Sequence, residues 1–362
     1  MRKLGISIYP DKSSIEEMKN YIVKAADAGF SRIFSCLLSV DKPREVIKDE
    51  FIEINQFAKE HGFEIIVDVS PKVFADLGIS YDDLSFFHEI GADGLRLDAG
   101  FGGSHESLMT FNPYDLKIEI NMSQDIHYID TIMDYQPNQY NLIACHNFYP
   151  HPYSGLTEEL FDSATKRFKK YGLRTAAFVS SQADGAYGPW PVDDGLVTLE
   201  KHRHLPLHVQ IKDYIAMNEI DDIIISNFYP SDEELAEIKN INLTKLNLKV
   251  ELVDSIPEIE RKIVLEEPHF NRGDVSAYFK RSTMSRVKYK GHDFKIFNAP
   301  EMIRRGDLII ESSDFGHYAG ELQIATQDMK NTGKSNVVGR IAEDEVFLID
   351  NIKPWQKFEF SL

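Results

Sequence analysis

The chain has 362 residues, of which 43% are hydrophobic and 27% charged, and a formal net charge of −18. That balance excludes a general affinity for nucleic acid or anionic lipid, which are both polyanions, and no run approaches the ~20 consecutive apolar residues of a membrane span. At roughly 100–200 residues per domain the length predicts two domains, the first large enough for a barrel.

In chain order, the N-terminus carries Arg2 and Lys3 ahead of an apolar run only a strand long, with no small-residue cleavage site behind it. It reads as a first strand, Leu4–Tyr9, not a secretion signal, so a cytoplasmic location is expected. Next come a helix over Ser13–Ala28 with a Ser13/Glu16 capping pattern, a strand over Arg32–Ser39, and a helix over Arg44–His61 that stops before Gly62. Cys36 lies in the second strand and Cys145 in a later one, which points to buried reduced thiols, not a disulfide framework. Further strands are predicted over Glu64–Val69, Gly94–Asp98, Lys117–Met122, Leu142–Phe148, Arg174–Ser180 and Asp222–Phe228, with helices over Thr157–Tyr171 and Asp232–Lys239. Eight β runs alternating with amphipathic segments over about 230 residues predict an α/β fold, a (β/α)8 TIM barrel. An open doubly wound sheet is the alternative. Against it, Tyr9-Pro10-Asp11-Lys12 stands where a glycine-rich phosphate loop would follow the first strand. From Leu246 the pattern changes to short strands (Asp307–Glu311, Glu321–Ala325, Asn336–Ile341, Glu345–Asp350), which predict a small β domain. The expected domains are residues 1–242 and 246–362.

A closed (β/α)8 barrel carries its active site at the C-terminal strand ends, so the polar residues there are the candidates. Side chains alternate along a strand, so Arg96 and Asp98 share one face of their strand, as do Glu119 and Asn121 of theirs, and both faces are expected to point into the barrel mouth. Asp98 and Glu119, from neighbouring strands, are the expected catalytic carboxylates. Glycosidases hold such a pair about 5–5.5 Å apart for retention or ~6.5–9.5 Å for inversion. Arg96 would keep Asp98 ionised, while a carboxyl deeper among apolar neighbours would hold a proton and serve as general acid. The plainer alternative is a strand-closing Arg96–Asp98 ion pair and a Glu119 matched by a lysine. Asp68, Asp184 and Asp194 are reserve carboxylates.

Candidate substrate-binding residues are Asp68, Arg96, Asn121, His146, Asn147, Tyr149, His151, Ser154, Asn227 and Arg272. Tyr9, Phe101, Tyr149, Tyr187, Trp190 and Tyr229 are rim aromatics suited to stack on a sugar. The loop from Asn147 to Thr157 leads into a helix, whose free N–H groups with His151, Ser154 and Thr157 are expected to take a phosphate, unless they form only a stiff N-cap. His202, His204 and His208 lack a carboxylate at ligand spacing, so no metal is expected, and no cofactor. From Pro257 to Arg305 eleven Lys/Arg stand against seven Asp/Glu, a local reversal of sign. Within it, His269, Arg272 and Asp274 form a cluster whose arginine is expected to lean over the barrel mouth and grip phosphate in two bonds.

Several segments together resemble a known family. They are Gly5-Ile6-Ser7-Ile8-Tyr9-Pro10, Gly94-Leu95-Arg96-Leu97-Asp98-Ala99-Gly100-Phe101, His146-Asn147-Phe148-Tyr149-Pro150 with Tyr153-Ser154-Gly155-Leu156, Gly195 to Arg203, and His269-Phe270-Asn271-Arg272-Gly273-Asp274. The tail adds Arg305 to Ile310, Tyr318 to Ile324 and Asn336 to Ile341. In this order they look like the 6-phospho-N-acetylmuramidases, a glycoside hydrolase family, over essentially the whole chain. The resemblance implies a (β/α)8 barrel followed by a cyclophilin-like β-barrel. It also implies release of N-acetylmuramic acid 6-phosphate from a disaccharide with N-acetylglucosamine in cell-wall recycling. The implied partner is therefore a small phosphorylated disaccharide, with no nucleic acid and no membrane. His151 departs from the arginine that follows Tyr-Pro in many relatives. Two other classes compete: a sugar-phosphate-binding or regulatory protein that does not hydrolyse, and a barrel aldolase or isomerase using a lysine Schiff base. The second lacks a strand-end lysine, since Lys117 begins its strand.

Overall fold

Short, apolar, β-branched runs can be buried on both faces only in a parallel sheet covered by helices. The computed structural model describes residues 1–37, 43–191 and 194–362. It forms these runs into β1 (Lys3–Ile8), β2 (Arg32–Cys36), β3 (Glu64–Val69), β4 (Gly94–Leu97), β5 (Lys117–Asn121), β6 (Leu142–Cys145), β7 (Arg174–Val179) and β8 (Asp222–Ile225). β1 pairs in parallel with β2 through Gly5↔Arg32 and with β8 through Leu4↔Ile223, which closes the barrel and excludes an open sheet. The end expected for the second strand, at Ser39, lies outside the described residues. β6 and β8 stop before the two Asn-Phe-Tyr-Pro segments, so both copies are loops at the C-terminal face of the barrel. Gly94 has to be glycine: a Cβ there would stand 2.5 Å from the Lys117 carbonyl oxygen of the next strand.

The first helix, Ile15–Asp27, is capped one residue later than the sequence suggests. Ser14 N–H reaches Glu17 Oε2 at 2.9 Å and Glu17 N–H reaches Ser14 Oγ at 3.3 Å, so the capping box is Ser14/Glu17, not Ser13/Glu16. Among the described residues no helix is long and apolar enough to cross a membrane.

The strands begin on charge. Lys3, Arg32, Glu64, Arg174 and Asp222 each open a strand. Lys3 Nζ lies 2.9 Å from Glu64 Oε2, and Arg174 Nη2 lies 2.6 Å from both Glu64 Oε2 and Asp222 Oδ2. Arg32 is completely buried and extends one arm of its guanidinium to Asp222 and the other to Glu119, both also without exposure. Burial works against the charge on Arg32, and the two carboxylates more than offset it, so its pKa is raised. Removing one member of such a group leaves a buried charge uncompensated. Arg32→Met is therefore expected to cost about 3–5 kcal/mol in urea unfolding, while Glu119→Gln, once folded, should keep most of its turnover. A Glu119→Gln protein of wild-type stability that has lost its activity would contradict this structural role.

The described residues cluster into two units, Met1–Ile211 with Glu219–Asn240, and Lys212–Asn218 with Ile241–Leu362. The second unit contains β9 (Leu246–Leu252), β10 (His269–Phe270), β11 (Phe279–Ser282), β12 (Met302–Ile303), β13 (Asp307–Glu311), β14 (Leu322–Ala325), β15 (Met329–Lys330), β16 (Ser335–Ile341) and β17 (Lys357–Ser361). Seven of them form a barrel-like sheet in the order β10-β17-β9-β16-β13-β14-β11, and β12 pairs with β15. The strand expected over Glu345–Asp350 is instead a 3₁₀ segment, Glu343–Asn351. Its buried residues, Glu345, Val346, Leu348 and Ile349, follow helical rather than alternate spacing, and Glu345 Oε2 accepts Lys249 N–H at 2.8 Å.

Candidate active site

Alternation along the strands turns Cys36, Asp68, Arg96, Asp98 and Asn147 inward near the C-terminal ends of β2, β3, β4 and β6. The register aligns Cys36 with Asp68 and Asp68 with Arg96 across three adjacent strands. These five residues, with Phe34, Phe148, Phe178 and Trp190, line a cavity of about 140 Å³. The phenylalanine rings pack edge to face, with Phe34 and Phe148 each 5.1 Å from Phe178, which makes the floor apolar and stiff. Trp190 stands at the rim, partly exposed.

Arg96 organises the polar side of this cavity. Its Nη1 donates to Asp68 Oδ1 at 2.6 Å and to Asp98 Oδ1 at 3.3 Å, and its Nη2 donates to Asn147 Oδ1. Asn147 is fixed in turn, its N–H donating to Ser123 Oγ at 2.6 Å and its carbonyl accepting Thr198 Oγ1 at 2.8 Å. Because one nitrogen serves both carboxyls, their facing oxygens are at most about 6 Å apart, close enough for both to reach one glycosidic bond. The two differ sharply in environment: the side chain of Asp68 is 6% exposed and that of Asp98 is 42% exposed. Burial pushes the Asp68 carboxyl up to about 7; the Arg96 charge opposes this, and the Asp98 and Glu119 charges add to it. At neutral pH Asp68 can thus keep a proton, which is what an acid–base carboxyl pair requires of one member.

Asp98 also borders a second cavity of about 330 Å³, lined by Leu97, Gly100, Asn121, Gln124 and Tyr128 among others, and it is the one residue common to the two linings. Asn121, a candidate binding residue, braces this wall, since its Nδ2 donates to the Asp98 carbonyl at 3.2 Å and its Oδ1 accepts Ser123 N–H at 3.0 Å.

The remaining candidates are placed elsewhere. Glu119 is corrected from catalyst to barrel interior. It pairs in register with Arg96, two residues below Asp98 or roughly 6–7 Å down the strand, where Arg32 rises from the layer beneath and takes it. His146 points outward between strand and helix, completely buried, with Nε2 2.9 Å from Thr165 Oγ1 and its ring stacked on Phe161. Burial lowers its pKa to about 3, so it is a neutral packing residue and not a ligand contact. Tyr149 is half-buried outside both cavity linings, and its carbonyl accepts both Nη groups of Arg203 at 3.1 Å. His151 and Ser154 sit on an exposed turn, bonded to Pro152 O at 2.7 Å and His151 O at 2.5 Å. At the helix end expected to take an anion, Thr157 Oγ1 caps Leu160 N–H at 3.3 Å, and in the turn before it Glu200 accepts Tyr153 N–H at 2.8 Å and Gly155 N–H at 2.7 Å. Arg203 holds the Glu200 carboxyl down at about 2. Asn227 is buried and doubly bonded to the Ser181 backbone at 2.7 and 3.0 Å. It borders a separate cavity that also includes Asp184 and Asp194. Arg272 belongs to the second unit and pairs with Asp274, while His269 is a core residue held by Ser282 Oγ at 3.0 Å and the Val264 carbonyl at 3.2 Å. The expected His269–Arg272–Asp274 cluster is therefore without His269, and Asp274 is held by Arg272 and by Arg281, whose Nη2 lies 3.1 Å from Asp274 Oδ2. Among the described residues no three His, Cys, Asp or Glu side chains are grouped to hold a metal ion.

Comparison with known proteins gives two family matches: the model described as 6-phospho-N-acetylmuramidase, N-terminal, over residues 4–240, and the one described as 6-phospho-N-acetylmuramidase, C-terminal, over residues 246–361. Among solved structures, the chain is similar to a B. cereus protein described as uncharacterized, with 47% identity and a TM-score of 0.90 over 100% of this chain and 99% of that one. It shares its fold with a conserved Enterococcus faecalis protein of unknown function, at 24% identity and a TM-score of 0.70, covering 99% of this chain and 96% of that one. No curated protein matches.

Proposed function

Because the chain belongs to the 6-phospho-N-acetylmuramidase family, whose name implies a glycosidase acting on a phosphorylated sugar, we propose that it hydrolyses a β-linked disaccharide of N-acetylmuramic acid 6-phosphate and N-acetylglucosamine in cytoplasmic cell-wall recycling. The observation that carries this reading is the Asp68–Arg96–Asp98 arrangement, two carboxyls of unequal burial bridged by one guanidinium at the strand ends. In the proposed reaction Asp98, between the two cavities, faces the linking oxygen and gives it a proton as the C1–O bond breaks. Asp68 faces the C1 side from within the apolar-walled cavity. A substrate N–H delivered to Asp68 favours its ionised form, and the proton it gives up is the one passed through Asp98 to the leaving oxygen. C1 is then attacked either by the Asp68 carboxylate or by the acetamido oxygen of the substrate, both of which lead to retention. Water afterwards gives a proton to Asp98 and its hydroxyl to C1, as the C1–O bond to Asp68 or to the acetamido oxygen breaks and that group is restored.

The direct experiment offers the purified protein the muramyl disaccharide with and without the 6-phosphate. Cleavage of the phosphorylated form at a kcat/KM at least about tenfold higher is expected, as one missing charged contact costs a kcal/mol or more. Thermal stabilisation by the phosphorylated disaccharide without any turnover would favour a binding protein and overturn the proposal.

A further inference from the structure

We infer that the 330 Å³ cavity beside Asp98 is the subsite of the uncharged leaving sugar, and that Glu106 builds it. The inference rests on the hydrolase reading above. Its volume is at the lower end of small-molecule sites, roughly 300–1,000 Å³. Its lining contains no Lys, Arg or His, and its one charged residue is Asp98, so a phosphate or a lactyl carboxylate would meet repulsion with no counter-charge. The lining offers instead the exposed amide of Gln124, the Tyr128 ring, Ile126 and the peptide groups of Ala99, Gly100 and Gly102, a mixture that suits hydroxyls, an acetamido group and a pyranose face.

The wall is built rather than incidental. Glu106 is completely buried, and its carboxyl gathers the N–H groups of Phe101 and Gly103, the latter at 2.6 Å, together with the Tyr128 hydroxyl. Three elements are thereby tied at one point: the loop leaving Asp98, the helix Ser104–Met109 and the helix Tyr128–Asp134. Gly100 completes the fit, because a Cβ there would collide with the Tyr128 hydroxyl. Glu106 is a positioning residue, acting through the loop that carries Asp98 and through Tyr128.

The test compares two substrates of the full-length protein, the phosphorylated disaccharide and the 4-nitrophenyl β-glycoside of N-acetylmuramic acid 6-phosphate, whose leaving group is not a sugar. In Gln124→Ala the ratio of kcat/KM for the disaccharide to that for the aryl glycoside should fall at least tenfold, carried mainly by KM. Glu106→Gln should lower the same ratio, and free N-acetylglucosamine should inhibit wild-type aryl glycoside hydrolysis but inhibit Gln124→Ala more weakly. Unchanged ratios in both variants, with the wild type cleaving both substrates, would overturn the subsite and leave the hydrolase reading standing. Failure of the wild type to cleave either substrate would remove the hydrolase reading and this inference with it.

Discussion

Asp98→Asn is expected to lower kcat for the phosphorylated disaccharide by about a thousandfold or more, at the upper part of the 10²–10⁴ range that general acid–base groups contribute. Asp98 is partly exposed and makes a single 3.3 Å contact with Arg96, so the substitution should leave the thermal unfolding midpoint within a few degrees of wild type. The loss should depend on the leaving group. An aryl glycoside whose phenol leaves without protonation escapes the need for an acid, so its bond-breaking step should suffer far less than that of the disaccharide. Equal loss on both substrates would place Asp98 in some other role.

Asp68→Asn should produce the second large effect, a drop of about 10²–10⁴ in kcat at neutral pH, together with a changed pH profile. The wild-type kcat/KM is expected to fall as pH rises beyond about 7, where burial no longer keeps the proton on Asp68. In Asp68→Asn that limb should move or disappear. Stability supplies an independent reading. The folded pKa of Asp68 is raised from the ordinary 3.8 to about 7, so between these values the folded protein holds a proton that the unfolded chain releases. This contribution to stability is fully present below about pH 4 and is lost as pH rises through about 7. Asp68→Asn should flatten that part of the stability curve, and the wild-type slope persisting unchanged would show that Asp68 is not the titrating group.

The barrel was legible from the chain because eight short apolar runs, alternating with amphipathic segments, leave few other ways to bury both faces of a sheet. Strand ends were less so. Adjacent polar residues such as His146 and Asn147 look equivalent in a linear reading, and the two-residue alternation sends one behind the sheet and the other into the cavity. Glu119 and Asp68 are hard to tell apart in the sequence for a related reason. Both are inward-facing acids, and what separates them is depth, set by the register that puts Glu119 beside Arg96 and by an Arg32 side chain that enters from another strand. The turn around His151 holds an anion that a local reading does not find: Glu200, 45 residues from Gly155 in sequence, accepts its N–H, while the helix end that follows is capped by Thr157. The strand misread at Glu345 has the same origin, since an apolar run of that length fits either spacing until its partners are known.

The account stands most directly on the stereochemistry of one reaction. The purified protein is mixed with the phosphorylated disaccharide and the anomeric signals of the released N-acetylmuramic acid 6-phosphate are followed by NMR before mutarotation. Attack on C1 by the Asp68 carboxylate or by the acetamido oxygen, followed by water on the vacated face, is a double displacement that retains configuration. The β-anomer should therefore appear first and decay to the equilibrium mixture. First appearance of the α-anomer, or no released sugar phosphate at all, would contradict it.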